Sequence, residues 1–227
     1  MRRTISYSLW GSKSRYLDAM RENLRLAQII YPGWRVVIYV ASDVPIVDEL
    51  GASGAEIRRM PYYRGHSGSF WRLLAAGDMR QDVQDVVIVR DADSLLNYRE
   101  KAAVDEWIAS EAELHVMRDH PLHAPTPILA GMCGFRGRIR MSEKIARWSD
   151  VVSFGEDQRF LATEIWPKFR RNACVHSSCR QPLGGRPFPA HAPYDGFVGE
   201  VMVKGVDDKF VPMLSEHREI WRASNGR

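Results

Sequence analysis

Hydrophobic and polar positions alternate between two periods in the first half of the chain. Residues 4–10 read as a short strand, and a helix from about residue 14 to 30 follows. Its apolar positions Leu17, Met20, Leu24 and Ala27 step by three and four, with Ser12 or Ser14 available as a cap. Pro32 and Gly33 stop that helix. Residues 34–40 form a near-continuous apolar run, the pattern of a strand covered on both faces. A short helix over 44–50, a strand over 56–60 and a helix over 69–76 come next. Residues 85–90 contain Val86, Val87, Ile88 and Val89 in succession and make the clearest strand in the chain. Asn97 and Glu100 stand three apart, as in a capping box, before a helix that places Ala103, Val104, Trp107 and Ile108 on one face. Strands and helices alternating at this spacing predict an α/β fold, with a mostly parallel central sheet flanked by helices.

The second half breaks this rhythm. Residues 119–134 and 181–196 carry so much proline and glycine that both read as long loops, and loops of that length are usually functional. The 181–196 stretch is expected to order over a bound ligand. Between the loops, helices are predicted near 139–148 and 154–165; a strand over 197–203 and a helix ending near Trp221 close the chain. No repeat, low-complexity segment or linker divides the sequence, so residues 1–227 are expected to form one domain.

Composition narrows the class. Of 227 residues, 45% are hydrophobic and 26% charged, which excludes a disordered tail, a collagenous repeat or a disulfide-dense mini-protein. The longest apolar run, residues 36–41, is far short of the roughly 20 residues a membrane span needs. Arg2 and Arg3 have no apolar stretch behind them, so no signal peptide is expected. Cys133, Cys174 and Cys179 cannot all pair, and they read as reduced thiols in a cytoplasmic protein. The net charge of +4 is small and not gathered into a block with interleaved aromatics, which argues against nucleic acid. It suits an anionic substrate such as a nucleotide diphosphate, or peripheral contact with an acidic membrane.

Three constellations carry chemistry. Arg90-Asp91-Ala92-Asp93-Ser94 leaves the apolar strand at the end where ligands of α/β proteins bind. In an extended chain Asp91 and Asp93 would point the same way and offer paired carboxylates to Mg²⁺ or Mn²⁺. The alternative is an ordinary turn after a strand. Asp157 shares a helix face with Leu161 and Ile165 and should point inward; Ser153 and Glu156 can cap the same helix. An inward carboxylate can be held by backbone amides at a helix start, or it can act as general base on an acceptor hydroxyl. Among seven histidines, His176 follows a short predicted strand and could join the aspartates around a metal, with His191 as rival. Cys174, His176 and Cys179 begin a zinc-like pattern, but a fourth ligand at regular spacing is missing.

Ile5-Ser6-Tyr7-Ser8-Leu9, Tyr31-Pro32-Gly33-Trp34, Phe70-Trp71-Arg72 and Arg90-Asp91-Ala92-Asp93-Ser94 with Arg99-Glu100, taken together, resemble a GT-A glycosyltransferase. Arg118-Asp119-His120-Pro121, Gly131-Met132-Cys133-Gly134, Asp157-Gln158 with Phe160-Leu161, and Phe197-Val198-Gly199 extend the likeness over nearly the whole chain. It is most similar to small bacterial and large-DNA-virus enzymes, including the chlorovirus rhamnosyltransferase domain. The resemblance implies a DxD motif in which Asp91 and Asp93 hold Mn²⁺ or Mg²⁺ on a nucleotide-sugar, with UDP as the favoured nucleotide. It implies that Tyr7 and Ser8 line the nucleoside pocket, that Arg72 steadies the diphosphate or the DxD carboxylates, and that Gly131 borders the donor. Asp157 matches the carboxylate near sugar and acceptor. An inverting route needs a base there, while a retaining route would put the same residue beside the anomeric carbon without using it as base; the sequence favours inversion only modestly. Cys133 departs from the pattern, where a bulky aromatic would be expected. The implied function is metal-dependent transfer of a sugar to a glycan or other saccharide acceptor. Two other classes fit parts of the pattern. A DxD phosphatase or phosphotransferase carries its motif on the first strand rather than the fourth, and a non-catalytic sugar-binding module could use the tryptophans.

Overall fold

The structure is a computed structural model and describes residues 1–61, 64–77, 85–137, 139–148, 153–179, 182–190 and 196–225. The elements in chain order are β1 (Arg3–Leu9), α1 (Ser14–Ile30), β2 (Arg35–Val40), α2 (Val47–Ala52), β3 (Glu56–Arg59), a 3₁₀ helix (Ser67–Ala76), β4 (Val86–Arg90), α3 (Tyr98–Ala109), β5 (Leu114–Arg118) and β6 (Met132–Arg136). After these come α4 (Met141–Ile145), α5 (Glu156–Phe160), a π-helical turn (Leu161–Ile165), α6 (Trp166–Phe169), β7 (Ala173–Ser177), β8 (Met202–Lys204), β9 (Phe210–Pro212) and α7 (Ser215–Ser224). No helix among the described residues is long and apolar enough to cross a membrane.

Seven strands form one sheet in the order β3-β2-β1-β4-β6-β5-β7, and β8 and β9 form a separate antiparallel pair. β1 runs parallel to both β2 and β4, and β2 to β3. β6 is antiparallel to β4 and β5, while β5 and β7 are parallel. The sheet is therefore mixed but mostly parallel, as the strand-helix alternation predicted. The strand order reverses beside β1, and the crevice between the C-terminal ends of β1 and β4 is where such a sheet receives ligands.

The period of two in each strand sorts side chains onto two apolar faces. Ile5, Tyr7, Leu9, Ile38, Val86 and Ile88 pack with Leu17, Met20, Leu24 and Ala27 of α1 and with Val104 and Trp107 of α3. Val37, Tyr39, Val87, Val89, Val116, Cys133 and Phe135 face Phe70 and Leu73 of the 3₁₀ helix and Phe160, Leu161 and Ile165 on the other side. Strands covered on both faces read as near-continuous apolar runs, which is why β2 and β4, each with a single arginine at one end, stand out in the sequence.

Several local expectations need correction. Residues 119–134 are not all loop: β6 begins at Met132, and the preceding β5 was not anticipated. Asn97 does cap α3, its side chain accepting from the Glu100 amide at 2.8 Å. The Glu100 carboxylate, however, takes Arg90 and Tyr31 at 2.7 and 2.9 Å, so the cap is one-sided. At α5, Gly155 occupies the cap position at φ +80°, with no side-chain cap bond from Ser153. Lys13, not a serine, caps α1, again without a side-chain bond.

Candidate active site

The site grows from β1. Its second face carries Ser6 and Ser8, and both hydroxyls turn to the backbone of one residue. Ser6 Oγ donates to the Arg72 carbonyl at 2.7 Å, and the Arg72 amide donates to Ser8 Oγ at 2.8 Å. These two bonds fix Arg72 in the 3₁₀ helix and satisfy four buried polar groups at once. The Arg72 side chain is buried, 7% exposed, and its guanidinium spans two carboxylates: Nη1 donates to Asp91 Oδ1, and Nη2 to Asp157 Oδ2 at 2.8 Å. Burial works against the Arg72 charge, but Asp91 and Asp157 outweigh it and raise its pKa above the ordinary value.

Asp91 and Asp93 lie just beyond β4, but not on an extended chain. The backbone turns, with the Ser94 amide donating to the Asp91 carbonyl at 3.4 Å. Asp91 therefore points to Arg72 and remains 42% exposed, while Asp93 is buried with Arg15 Nε at 3.7 Å. Burial first, and the nearby Asp91 charge second, push the Asp93 carboxyl up to about 6. Gly131 closes the site from the β6 side. A Cβ there would stand 1.7 Å from Asp91 Oδ2, so any side chain would displace that carboxylate.

Asn23 of α1, unremarked in the sequence, holds the turn from behind. Its Nδ2 donates to the carbonyls of Ala92 and Ser94 at 3.2 and 3.0 Å, and its Oδ1 accepts from the Leu96 amide at 3.0 Å. The available signal was an amide among Met20, Leu24 and Ala27 on the buried face of α1. Further on, the Met202 amide donates to the Asp93 carbonyl at 2.9 Å, so the C-terminal segment abuts the same turn.

Four sequence-nominated residues thus converge directly: Arg72, Asp91, Asp157 and Gly131. Asp93 sits at the same turn, and Ser8 reaches it through the Arg72 backbone. Asp157 is buried, 5% exposed, beside Leu161 and Ile165, as its helix spacing implied. Tyr7 is elsewhere. It points to the opposite face of the sheet, is fully buried in the core with α1 and α3, and its hydroxyl has no hydrogen-bond partner. Burial, with Glu100 close by, raises its pKa well above 10. Cys133 is fully buried behind the site; burial pushes its thiol up to about 12.

His176 does not join the aspartates. It sits within β7, paired in register with Met117 of β5, three strands from β4. Three strand spacings are roughly 14 Å. Its side chain also shares the face of Cys174, opposite to that of Arg72 and Asp157. The rival His191 lies outside the described residues. Of the 181–196 stretch, residues 182–190 are described, and they run along β7: the Arg186 amide donates to Val175 O at 2.9 Å, and Arg118 reaches the Gly184 carbonyl at 2.7 Å. That part lines the sheet edge.

No family model and no curated protein matches the chain in sequence. Solved structures do match in fold. The glycosyltransferase involved in glycosylation of the major capsid of PBCV-1 aligns with 78% of this chain and 82% of its own, at 13% identity and a TM-score of 0.52. The galactosyltransferase LgtC, solved with donor and acceptor sugar analogs, aligns with 77% of this chain and 73% of its own, at 14% identity and a TM-score of 0.50. The arrangement of seven strands with helices on both faces is the GT-A glycosyltransferase fold.

Proposed function

We propose that the chain is a metal-dependent glycosyltransferase that moves a sugar from a nucleotide-sugar, with UDP as the nucleotide, to a hydroxyl of a glycan or other acceptor. The observation that carries this reading is the Arg72 guanidinium bridging Asp91, at the end of β4, to Asp157. A bare structural ion pair would need one carboxylate. Two on one cation, beside a third at Asp93, collect negative charge at the crevice where α/β sheets bind ligands.

The residues fit a divalent ion. Asp93 is a buried carboxylate whose proton is favoured by burial and by the neighbouring Asp91 charge, and Arg15 at 3.7 Å is the cation paired with it. The donors are hard oxygens, and the nearby Cys133 thiol stays protonated, which suits Mn²⁺ or Mg²⁺ over a soft metal. Asp91 and Asp93 would hold the ion. Its chemistry there is to neutralise the departing nucleotide diphosphate.

The chain's own groups do the rest. Arg72 adds fixed positive charge in a dry setting, where it acts at little reorganisation cost. Asp157 takes the acceptor's hydroxyl proton as the oxygen forms its bond to the anomeric carbon and the diphosphate leaves, with inversion. Arg72 fixes the direction of the Asp157 carboxylate, and the Gln158 amide donates to its other oxygen at 3.0 Å. Ser6 and Ser8 position Arg72. Gly131 keeps Asp91 free of obstruction.

Release of UDP from a panel of UDP-sugars, followed with and without Mn²⁺, tests the reading against GDP- and dTDP-sugars and against phosphomonoesters. Metal-dependent release of a nucleoside diphosphate supports it. Turnover of phosphomonoesters alone would overturn it.

A further inference from the structure

A second cluster of ligand-type side chains lies on the opposite face of the sheet, under α3. His115 of β5 pairs in register with Cys174 of β7, and His176 follows two residues later on the same face. All three are buried. His115 Nε2 lies 2.9 Å from His176 Nδ1, Cys174 Sγ lies 3.9 Å from that same nitrogen, and the three donor atoms all fall within 4.8 Å of one another.

From the convergence of His115, Cys174 and His176 we infer a second metal site, for a thiophilic d¹⁰ ion, Zn²⁺ or Cu⁺, separate from the carboxylate site at Asp91. With Zn–N near 2.1 Å and Zn–S near 2.3 Å, tetrahedral ligands stand about 3.4 Å (N to N) and about 3.6 Å (N to S) apart. The His–His separation of 2.9 Å is about half an ångström short of this, the Cys174–His176 separation of 3.9 Å is about 0.3 Å long, and the third lies within 4.8 Å, so side-chain rotations seat the three donors on one ion. An outer carboxylate stands nearby. Glu106 Oε2 is 3.5 Å from His176 Nε2, the nitrogen facing away from the cluster, and Arg186 holds the same carboxylate at 2.6 Å. At that distance Nε2 has no hydrogen-bond partner, but the negative charge beside it favours a proton there, which leaves the lone pair of Nδ1 facing inward. Trp107 stacks on the His115 ring at 5.1 Å with an interplanar angle of 10°, fixing its orientation.

As a closed core the cluster is poorly satisfied. His115 Nδ1 is buried without a hydrogen-bond partner, and the two imidazoles can share only one proton between their facing nitrogens. Binding releases the Cys174 proton to solvent and ties β7, the edge strand, to β5. Cys179, the partner suggested by sequence spacing, is not in the cluster; His115, 59 residues before Cys174, takes its place.

The test uses the whole protein, stripped with chelator and presaturated with Mn²⁺ so that the carboxylate site is filled. Co²⁺ is added as a spectroscopic probe, and Zn²⁺ and Cu⁺ are titrated in separate arms. The expected result is a thiolate-to-cobalt charge-transfer band, displaced by whichever d¹⁰ ion binds, and a Tm rise of about 5 °C with that ion. Cys174→Ala should lose both while UDP binding with Mn²⁺ stays within twofold of wild type. Where that variant fails to fold, X-ray absorption on the Zn²⁺- or Cu⁺-loaded wild type should show one sulfur and two imidazole nitrogens. Absence of the band and of any Tm rise in wild type, or a band that survives Cys174→Ala and is lost in Cys179→Ala, would overturn the site.

Discussion

Arg72 is the residue on which the candidate site turns. Arg72→Met leaves Asp157 buried without its cation, and breaking a buried pair in this way typically costs about 3 kcal/mol or more. Arg72→Lys restores the charge but not the fork, so it should recover part of the Tm while transfer stays low. Urea melts and transfer rates on the two variants separate charge from geometry; full activity in the lysine variant would refute the bridging role. Asp93 makes a prediction about pH. Its folded pKa of about 6 lies above the unfolded value near 3.9, so its contribution is fully present below about pH 4 and is lost as pH rises through 6. The loss amounts to about 3 kcal/mol. Metal-free Asp93→Asn should therefore gain on metal-free wild type between pH 5 and 7.5, whereas wild type regains the difference with Mn²⁺ and UDP together. Equal pH profiles for the two metal-free proteins would contradict the burial argument. Asp93→Ala should also bind UDP weakly with or without Mn²⁺. Asp157→Asn keeps the shape and one of the two accepted hydrogen bonds but cannot take a proton, so transfer should fall about 10²- to 10⁴-fold with UDP affinity retained. A rate within about threefold of wild type would remove Asp157 as base.

Among the elements, those whose period matched one environment were legible, and those shaped by their neighbours were not. Apart from a terminal arginine, β2 and β4 are apolar throughout because helices cover both faces, and α1 shows its stripe because only one side is buried. β5 and β6 hid for the opposite reason. His115 and Arg118 interrupt β5 with polar side chains that find buried partners, and Gly134 in β6 reads as a breaker. Gly134 is needed because a Cβ there would stand 2.9 Å from the Trp107 ring, a requirement of packing that no local pattern announces. The candidate site was legible at Asp91, Asp157 and Arg72 as residue types, but not as a bridge, since Asp91 and Asp157 are 66 residues apart. Asn23 was invisible for the same reason: its three bonds all go to residues 92–96. Asn23→Ala leaves two carbonyls and one amide unpaired behind the Asp93 turn. It should lower stability by about 1–3 kcal/mol and weaken Mn²⁺-assisted UDP binding more than Asp157→Asn does. Calorimetric titration of both variants compares them, and undiminished UDP affinity in Asn23→Ala would mean the turn holds its shape without α1.

On the scale of the whole molecule, a sheet with its strand order reversed beside β1 leaves one crevice whose walls come from separate parts of the chain. α1 supplies Arg15, the 3₁₀ helix Arg72, the turn after β4 the aspartates, the residue before β6 Gly131, and α5 Asp157, while Asn23 of α1 braces the turn from behind. A ligand that contacts these walls binds the folded chain and not the unfolded one, so its affinity appears as global stability. At one hundred times its dissociation constant the gain is about 2.7 kcal/mol. For a chain of this size that raises Tm by roughly 5–10 °C. UDP with Mn²⁺ should give this shift, while UDP alone or Mn²⁺ alone should give little, because charge on the diphosphate and charge on Asp91 and Asp93 each need the ion between them. Arg72→Met should abolish the joint shift, whereas Cys174→Ala, on the far face of the sheet, should keep it. A Tm rise with Mn²⁺ that is indifferent to UDP would separate the carboxylates from any nucleotide and remove the donor from the proposed reaction.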